Sequence, residues 1–347
     1  MAIGVAYSGT RFIDDIKRDM RYLADLGFTG VLHTFSENDF AYFRPTMKEA
    51  VEYSRGLGLE VLVDPWGVGN TFGGQAESWF IARHPDECQI LSNGRPIGAA
   101  CLNSKVYREF LVEWAAAAWA LEPDALFWDE PHWASIARLE AMGRTEIIND
   151  KSREEQWACT CSRCIKLFEE RYGIEHPRDL TDEVVDFRRS SLVSFISEVT
   201  TGASNLGAVN QLCLLPHFEG PHSLSKEHWE EVASLPSLST FGTDPYWGQF
   251  SRPLKGFVDT VSEFVVELAK RHGKIPQIWI QGFKLGPEDA GAIETAVAMA
   301  RAAGVEDLWV WGYRASGYVP WLGTRDPETV WSAIVKAMTG RDATIDE

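Results

Sequence analysis

Leu126-Phe-Trp-Asp-Glu-Pro-His-Trp133 is the stretch from which the rest of the chain is read. An apolar run of buried-strand type ends abruptly in Asp129-Glu130-Pro131, with tryptophans at 128 and 133. Two carboxylates beside aromatic rings at a strand's C-terminal end suit glycosidic chemistry. A proton donor needs partial desolvation to raise its pKa, and the rings offer flat apolar faces to a sugar. Alone, the pair reads equally well as solvated acids opening a loop, so the surrounding architecture has to decide.

Working outward from that run, apolar segments of strand length alternate with amphipathic segments of helix length. Strands are expected at residues 3–7, 30–33, 59–64, 125–128, 211–215, 239–243, 277–280 and 307–311. Helices are expected at about 13–26, 47–56, 105–120, 181–200, 226–233, 254–271, 287–303 and 327–338. Strict alternation implies a parallel sheet, and eight units close it into a (β/α)8 TIM barrel of the α/β class. A doubly wound open sheet would carry a glycine-rich phosphate turn running into a helix after an early strand. The glycine-rich run Gly67-Val-Gly-Asn-Thr-Phe-Gly-Gly74 instead opens a loop. The expectation is one catalytic domain over residues 1–340, with insertions after strands 3 and 4 (about 67–103 and 134–178) at the catalytic face. Residues 341–347 form an acidic tail expected to fray.

Composition narrows the function. With 33 basic and 50 acidic residues the formal charge is −17, which argues against nucleic acid or an anionic membrane as partner. It also disfavours a polyanionic substrate unless a local basic pocket overrides it. No apolar run approaches the roughly 20 residues that span a bilayer, and the N-terminus lacks a signal-peptide pattern. The expected location is cytoplasmic. Fourteen tryptophans suit either a sugar cleft or a Trp-rich core.

In a barrel of this kind the site is built from the loops that follow the strands. That rule gathers Tyr7, His33, Asp64 with Trp66, Asp129 with Glu130, His217 with Glu219, Asp244 with Tyr246 and Trp247, Gln281, and Trp311 with Arg314. Most of these groups either hydrogen-bond hydroxyls or stack on a sugar ring, although some are expected only to cap strands or fill the barrel's top layer.

Cys159-Thr-Cys-Ser-Arg-Cys164 has metal-ligand spacing, and a tetrahedral zinc needs a fourth thiolate. Cys101 is the first candidate and Cys88 the second, while Cys213, central in a strand, reads as a core thiol. A four-thiolate zinc would be structural, pinning the insertion, because it leaves no open position for chemistry. The alternative is a set of free thiols.

Cys101-Leu-Asn-Ser-x-x-Tyr-Arg108 before strand 4, with Cys159-x-Cys-x-x-Cys164-x-x-x-Phe168-x-x-x-Tyr172-Gly173 after it, resembles the beta-galactosidases of glycoside hydrolase family 42 and related barrel glycosidases. The resemblance implies zinc on Cys101, Cys159, Cys161 and Cys164. It also implies that Glu130 is the acid/base, since Asp129-Glu130-Pro131 is similar to the clan's Asn-Glu pair. Thr243-Asp-Pro-Tyr246 looks like the family's Asp-x-Tyr segment. Relatives commonly assemble, so a homo-oligomer is a possible state.

One departure matters. The clan's nucleophile is a Glu ending strand 7, where this chain has Gln281. Asp244 could replace it, or Asp129 or Asp64 could activate water with Gln281 positioning it. The third option is that sugar is bound and not cleaved. The favoured reading is a glycoside hydrolase of a small carbohydrate or glycoside, with Glu130 as general acid and Asp244 as second carboxylate. Asp129 and Asp64 would bind hydroxyls or tune Glu130, and Trp66, Trp247 and Trp311 would form a sugar platform. A non-catalytic carbohydrate-binding barrel is the alternative. A metal-dependent hydrolase or isomerase using His33, Asp64, His217 and Asp244 ranks last.

Overall fold

The computed structural model describes residues 2–74, 76–134 and 156–343. Strand β1 (Ile3–Tyr7) pairs in parallel with β2 (Gly30–Thr34) on one side and with β8 (Asp307–Trp311) on the other. That second pairing closes the sheet. Between them run β3 (Glu60–Asp64), β4 (Ala125–Asp129), β5 (Asn210–Leu214), β6 (Thr240–Thr243) and β7 (Ile275–Gln281). The order around the barrel is β1-β8-β7-β6-β5-β4-β3-β2. The helices that follow the strands are α1 (Ile13–Asp25), α2 (Arg44–Gly56), α3 (Lys105–Trp119), α4 (Asp182–Asn205), α5 (Lys226–Ala233), α6 (Val258–Arg271), α7 (Ala290–Ala302) and α8 (Pro327–Thr339). This is the expected TIM barrel.

Alternation along each strand divides the core in two. Val5, Tyr7, Val31, Val61, Val63, Leu126, Trp128, Ile278 and Ile280 pack outward under the helices. Ala6, Leu32, Leu62, Ala125, Phe127, Cys213, Trp279 and Trp309 fill the barrel's interior. Small residues on β1 and β2 make room for the largest of these, because a Cβ on Gly4 would lie 2.1 Å from the Trp309 ring. A polar plug closes the lower barrel. Asp307 accepts from the Ala2 amide (2.7 Å) and from Gln277 Nε2 (2.7 Å), and Gln277 also bonds Gln211 and Trp279.

Element boundaries shift where local chemistry differs from periodicity. Helix α4 runs to Asn205, past the expected end near residue 200, and helix α6 starts only at Val258. Before α6, Gly256 at φ 85° breaks the pattern and donates its amide to Asp259 Oδ1 (2.7 Å). The insertion after β3 contains structure that no periodicity announces: a short helix, Trp79–Arg83, and a hairpin of Cys88–Ile90 with Pro96–Ala100. Of the second insertion, residues 135–155 lie outside the described residues. The expected tail is tied down at its start by Arg341 Nη1 donating to the Asp25 carbonyl (2.6 Å), and 344–347 are outside the description.

Candidate active site

The C-terminal mouth of the barrel opens into a cleft of about 470 Å³, within the range of small-molecule sites. Its floor is acidic. Asp129 ends β4, Glu130 follows it, and Asp244 follows β6; all three line the cleft. Glu130 holds φ 41°, outside the strand conformation, and its amide donates to the Cys213 carbonyl of β5 (3.0 Å). The strand therefore stops in a fixed turn beside the carboxyl. Gly73 donates its amide to the Asp129 carbonyl (2.9 Å), and a Cβ there would fall 1.8 Å from Asp129 Oδ2. Only glycine lets this loop lie against the carboxyl.

Glu130 and Asp244 are neighbours lining the same cleft. Asp244 is buried, and its Oδ1 has no partner among the described residues. Burial pushes its pKa well above the usual carboxylate range, and the charge and hydrogen bond of Glu130, then the charge of Asp129, push it further. These effects favour the protonated form of Asp244. Cys213 lies against this group inside the barrel, its thiol pushed up by burial and then by Asp244, Asp129 and Glu130. The core-thiol reading of Cys213 fits that place, and its closeness to the carboxyls was not visible in the sequence.

Asp64, at the end of β3, is fully buried and does not line the cleft. Neither carboxyl oxygen has a partner among the described residues, and burial followed by the Asp129 charge raises its pKa well above 3.8. The sign follows directly. A raised folded-state pKa gives stability that is full below the unfolded value and is lost as pH rises towards the folded one. Asp64→Asn should therefore raise Tm relative to wild type at pH 8 and much less at pH 4, read by calorimetry across that range. An equal effect at both pH values would refute the buried proton.

The aromatic wall is partly the expected one. Trp66, after β3, stacks on Trp311 at the end of β8 with ring centroids 5.1 Å apart and planes 7° apart. The pair spans the mouth above β1 and β2, which contribute no lining residue. Tyr246 lines the cleft and packs against Phe250 and Phe283, and His217 lines it edge-on to Phe250. Burial, then Arg252, lowers the His217 pKa, so the ring is neutral at neutral pH.

Five other expected residues are placed elsewhere. Tyr7 and His33 share the outward parity of Val5 and Val31: the Tyr7 hydroxyl donates to Asp19 of α1 (2.8 Å), and His33 Nε2 meets Ser54 of α2 (3.0 Å). Burial, then Arg11, lowers the His33 pKa to about 3. Trp247 packs in the outer core, as does Trp128 of the opening motif, whose Nε1 donates to Asn210. Arg314 is exposed, over the rings of Tyr22 and Tyr313. Gln281 is buried and used up locally, its Oε1 accepting from the Gly248 and Gln249 amides (2.9 and 3.2 Å) and its Nε2 donating to the Phe283 carbonyl (2.9 Å). It clasps the loop after β6 to the end of β7 and does not line the cleft. Arg188 of α4, His222, Lys284 and Trp321 do line it, and position at a strand end could not have found them.

The four cysteines come together. Cys101, Cys159, Cys161 and Cys164 are buried with their sulfurs within 4.8 Å of one another, and Cys101 Sγ is 3.5 Å from Cys164 and 3.7 Å from Cys161. A tetrahedron of about 2.3 Å metal–sulfur bonds has edges of about 3.8 Å, so the set fits a metal ion. The Ile90 amide and Asn103 Nδ2 donate to Cys159 and Cys164. The Cys101, Cys159 and Cys164 thiols lower the pKa of Cys161. Cys88, the second candidate, stays outside the set, which is the only such group of His, Cys, Asp or Glu among the described residues. His33, Asp64, His217 and Asp244 thus form no comparable cluster. The set joins the hairpin, through Cys101, to the N-cap of the helix Ser162–Tyr172 at Cys161.

No family model and no curated protein matches this chain. Among solved structures it is similar to the GH42 beta-galactosidase Gan42B of G. stearothermophilus, at 10% identity and TM-score 0.62, covering 97% of this chain and 56% of that one. The endo-1,4-beta-mannanase of Rhizomucor miehei matches at 8% identity and TM-score 0.58, covering 97% and 94%. D-psicose 3-epimerase of Clostridium cellulolyticum H10 matches at 13% identity and TM-score 0.50, covering 97% of each chain. The likeness is one of fold. The chain spans 50–58% of the length of the beta-galactosidases it matches. The architecture is a glycosidase-like TIM barrel that sugar epimerases share. No helix among the described residues is long and apolar enough to cross a membrane.

Proposed function

We propose that this protein is a glycoside hydrolase in which Glu130 and Asp244 are the working carboxyls. The observation that carries the reading is that both line one aromatic-walled cleft, with Asp244 buried beside Glu130 and its protonated form favoured there. Glycoside cleavage needs one proton for the leaving oxygen and one carboxylate for the anomeric centre, and a singly protonated pair holds both. Glu130 takes up the proton that burial favours on Asp244 and gives it to the glycosidic oxygen, which leaves Asp244 as the carboxylate that attacks the anomeric carbon; water, deprotonated by Glu130, then releases the sugar. Asp129 orients hydroxyls, with Trp66, Trp311, Tyr246 and His217 lining the sugar's place. Gln281 does not weaken the proposal, since its neutral side chain lies outside the cleft. The test is a panel of chromogenic glycosides of both anomers, with wild type beside Glu130→Gln, Asp244→Asn and Asp129→Asn. Turnover that survives Glu130→Gln and Asp244→Asn unchanged would end this assignment.

We infer further that the four cysteines hold one structural zinc. Thiolate donors and tetrahedral spacing suit that ion, and four sulfurs leave no site for substrate. Elemental analysis should find about one zinc per chain. Cys161→Ser should lower zinc content and Tm together. Full occupancy or an unchanged Tm in that variant would count against the site.

A further inference from the structure

Arg188 is a buried cation that no carboxylate among the described residues partners. Only 4% of its surface is exposed, and its hydrogen bonds run to neutral groups. Its Nε donates to the Ala158 carbonyl (2.6 Å), and Nη1 donates to the Pro221 carbonyl (2.9 Å) and faces His222 Nδ1 (3.4 Å). Those contacts use three of the five N–H groups that a guanidinium carries, and no described residue accepts from Nη2. Both Arg188 and His222 line the cleft.

A charge held away from water without a counter-ion is costly, and a protein with 50 acidic side chains has ample means of supplying one. The cysteine set is the rival explanation, since Cys159 is within electrostatic range of Arg188. It is Arg163, however, whose Nη1 reaches the sulfurs, 3.9 Å from Cys161. A second cation repeats the pattern on another wall. Lys284 lies 4.2 Å over the Trp321 ring and bonds Gln249 Oε1 (3.3 Å), again with no carboxylate partner among the described residues. The acidic floor thus faces a basic rim, inside a molecule of net charge −17.

We propose that the cleft takes an acidic sugar, a uronic acid or its glycoside, whose carboxylate docks on Arg188 Nη2 beside His222, with Lys284 adding to the field. This deepens the glycoside hydrolase reading and names its substrate class. The free Nη2 offers charge-assisted N–H···O bonds to a carboxylate oxygen, which are stronger than those to a neutral hydroxyl and so separate an acid from the corresponding neutral sugar by charge.

The test uses binding, so it does not depend on turnover. Calorimetric titration of the whole protein with D-glucuronate, D-galacturonate, D-glucose and D-galactose should show one uronate bound at least about tenfold more tightly than its neutral counterpart, equivalent to about 1.4 kcal/mol. Arg188→Gln should abolish that preference and leave the neutral sugar's affinity unchanged. Lys284→Gln, on an exposed side chain, should weaken uronate binding more modestly and without loss of Tm. Nitrophenyl uronides beside nitrophenyl glycosides then read hydrolysis. Uronate preference without hydrolysis of any glycoside would sustain the acidic-sugar site and remove the hydrolase reading. Hydrolysis of neutral glycosides with no uronate preference would do the reverse. Failure to bind any uronate, or parallel loss of all sugars with a falling Tm in Arg188→Gln, would overturn the proposal and leave Arg188 as a structural staple.

Discussion

Glu130→Gln should lower kcat on a glycoside with a poor leaving group by about 10²–10⁴-fold, the range of a lost general acid. The same variant should be far less impaired in the first step on a dinitrophenyl glycoside, whose leaving oxygen departs without a proton. Its second step still lacks a base, so azide, which needs no deprotonation, should restore turnover and yield a glycosyl azide. Because burial and Glu130 raise the Asp244 pKa, the proton that Glu130 delivers is lost as pH rises, and the alkaline limb this produces should vanish in Glu130→Gln. A loss equal for all leaving groups would mean that Glu130 binds or positions and does not donate.

Asp244→Asn should abolish turnover on every leaving group, good or poor, because no carboxylate then reaches the anomeric carbon. The loss should come without unfolding. Burial makes Asp244 keep its proton, so ionising it costs stability as pH rises above the unfolded carboxylate pKa, and the amide removes that cost. Tm should accordingly match wild type at low pH and exceed it at pH 8. Activity that falls while Tm rises marks a group kept for chemistry against its stability. If Asp244→Asn stays active and Asp129→Asn does not, the second carboxylate is Asp129 and water must be the nucleophile.

The barrel was legible because each strand is a separate apolar run and each helix a separate amphipathic one. The site was legible only in part, because a strand's end locates a residue along the barrel axis and not on one of its two faces. Tyr7 illustrates the difference. On β1 the small residues Gly4 and Ala6 occupy the inner face, where Trp309 needs the space, and Tyr7 falls with Val5 on the outer one. Parity read from those small residues would have sent Tyr7, and with it His33, to the helix layer. Asp129, Glu130 and Asp244 reach the cleft because they follow strands closely. Arg188, Lys284 and Trp321 come from a helix and from loops with no period to read, and nothing local marks them as facing the cleft. The cysteines were the clearest signal, since three lie within six positions and only the fourth had to be chosen.

Gln281 bears on the stability of the site as well as its chemistry. Its amide accepts two loop N–H groups and donates to one carbonyl, a set that no carboxylate can reproduce. A Gln281→Glu variant carries the carboxylate that the glycosidase resemblance implies at this position. It would still accept from Gly248 and Gln249, but it would face the Phe283 carbonyl with like charge. Gln281→Glu should thus lose about 1–3 kcal/mol, as expected for a buried donor exchanged for a second acceptor, and gain no activity. Denaturant titration beside the glycoside panel reads both. With the clasp built around the amide, a glutamate at 281 would be held away from the cleft, and a second carboxylate has to come from another strand.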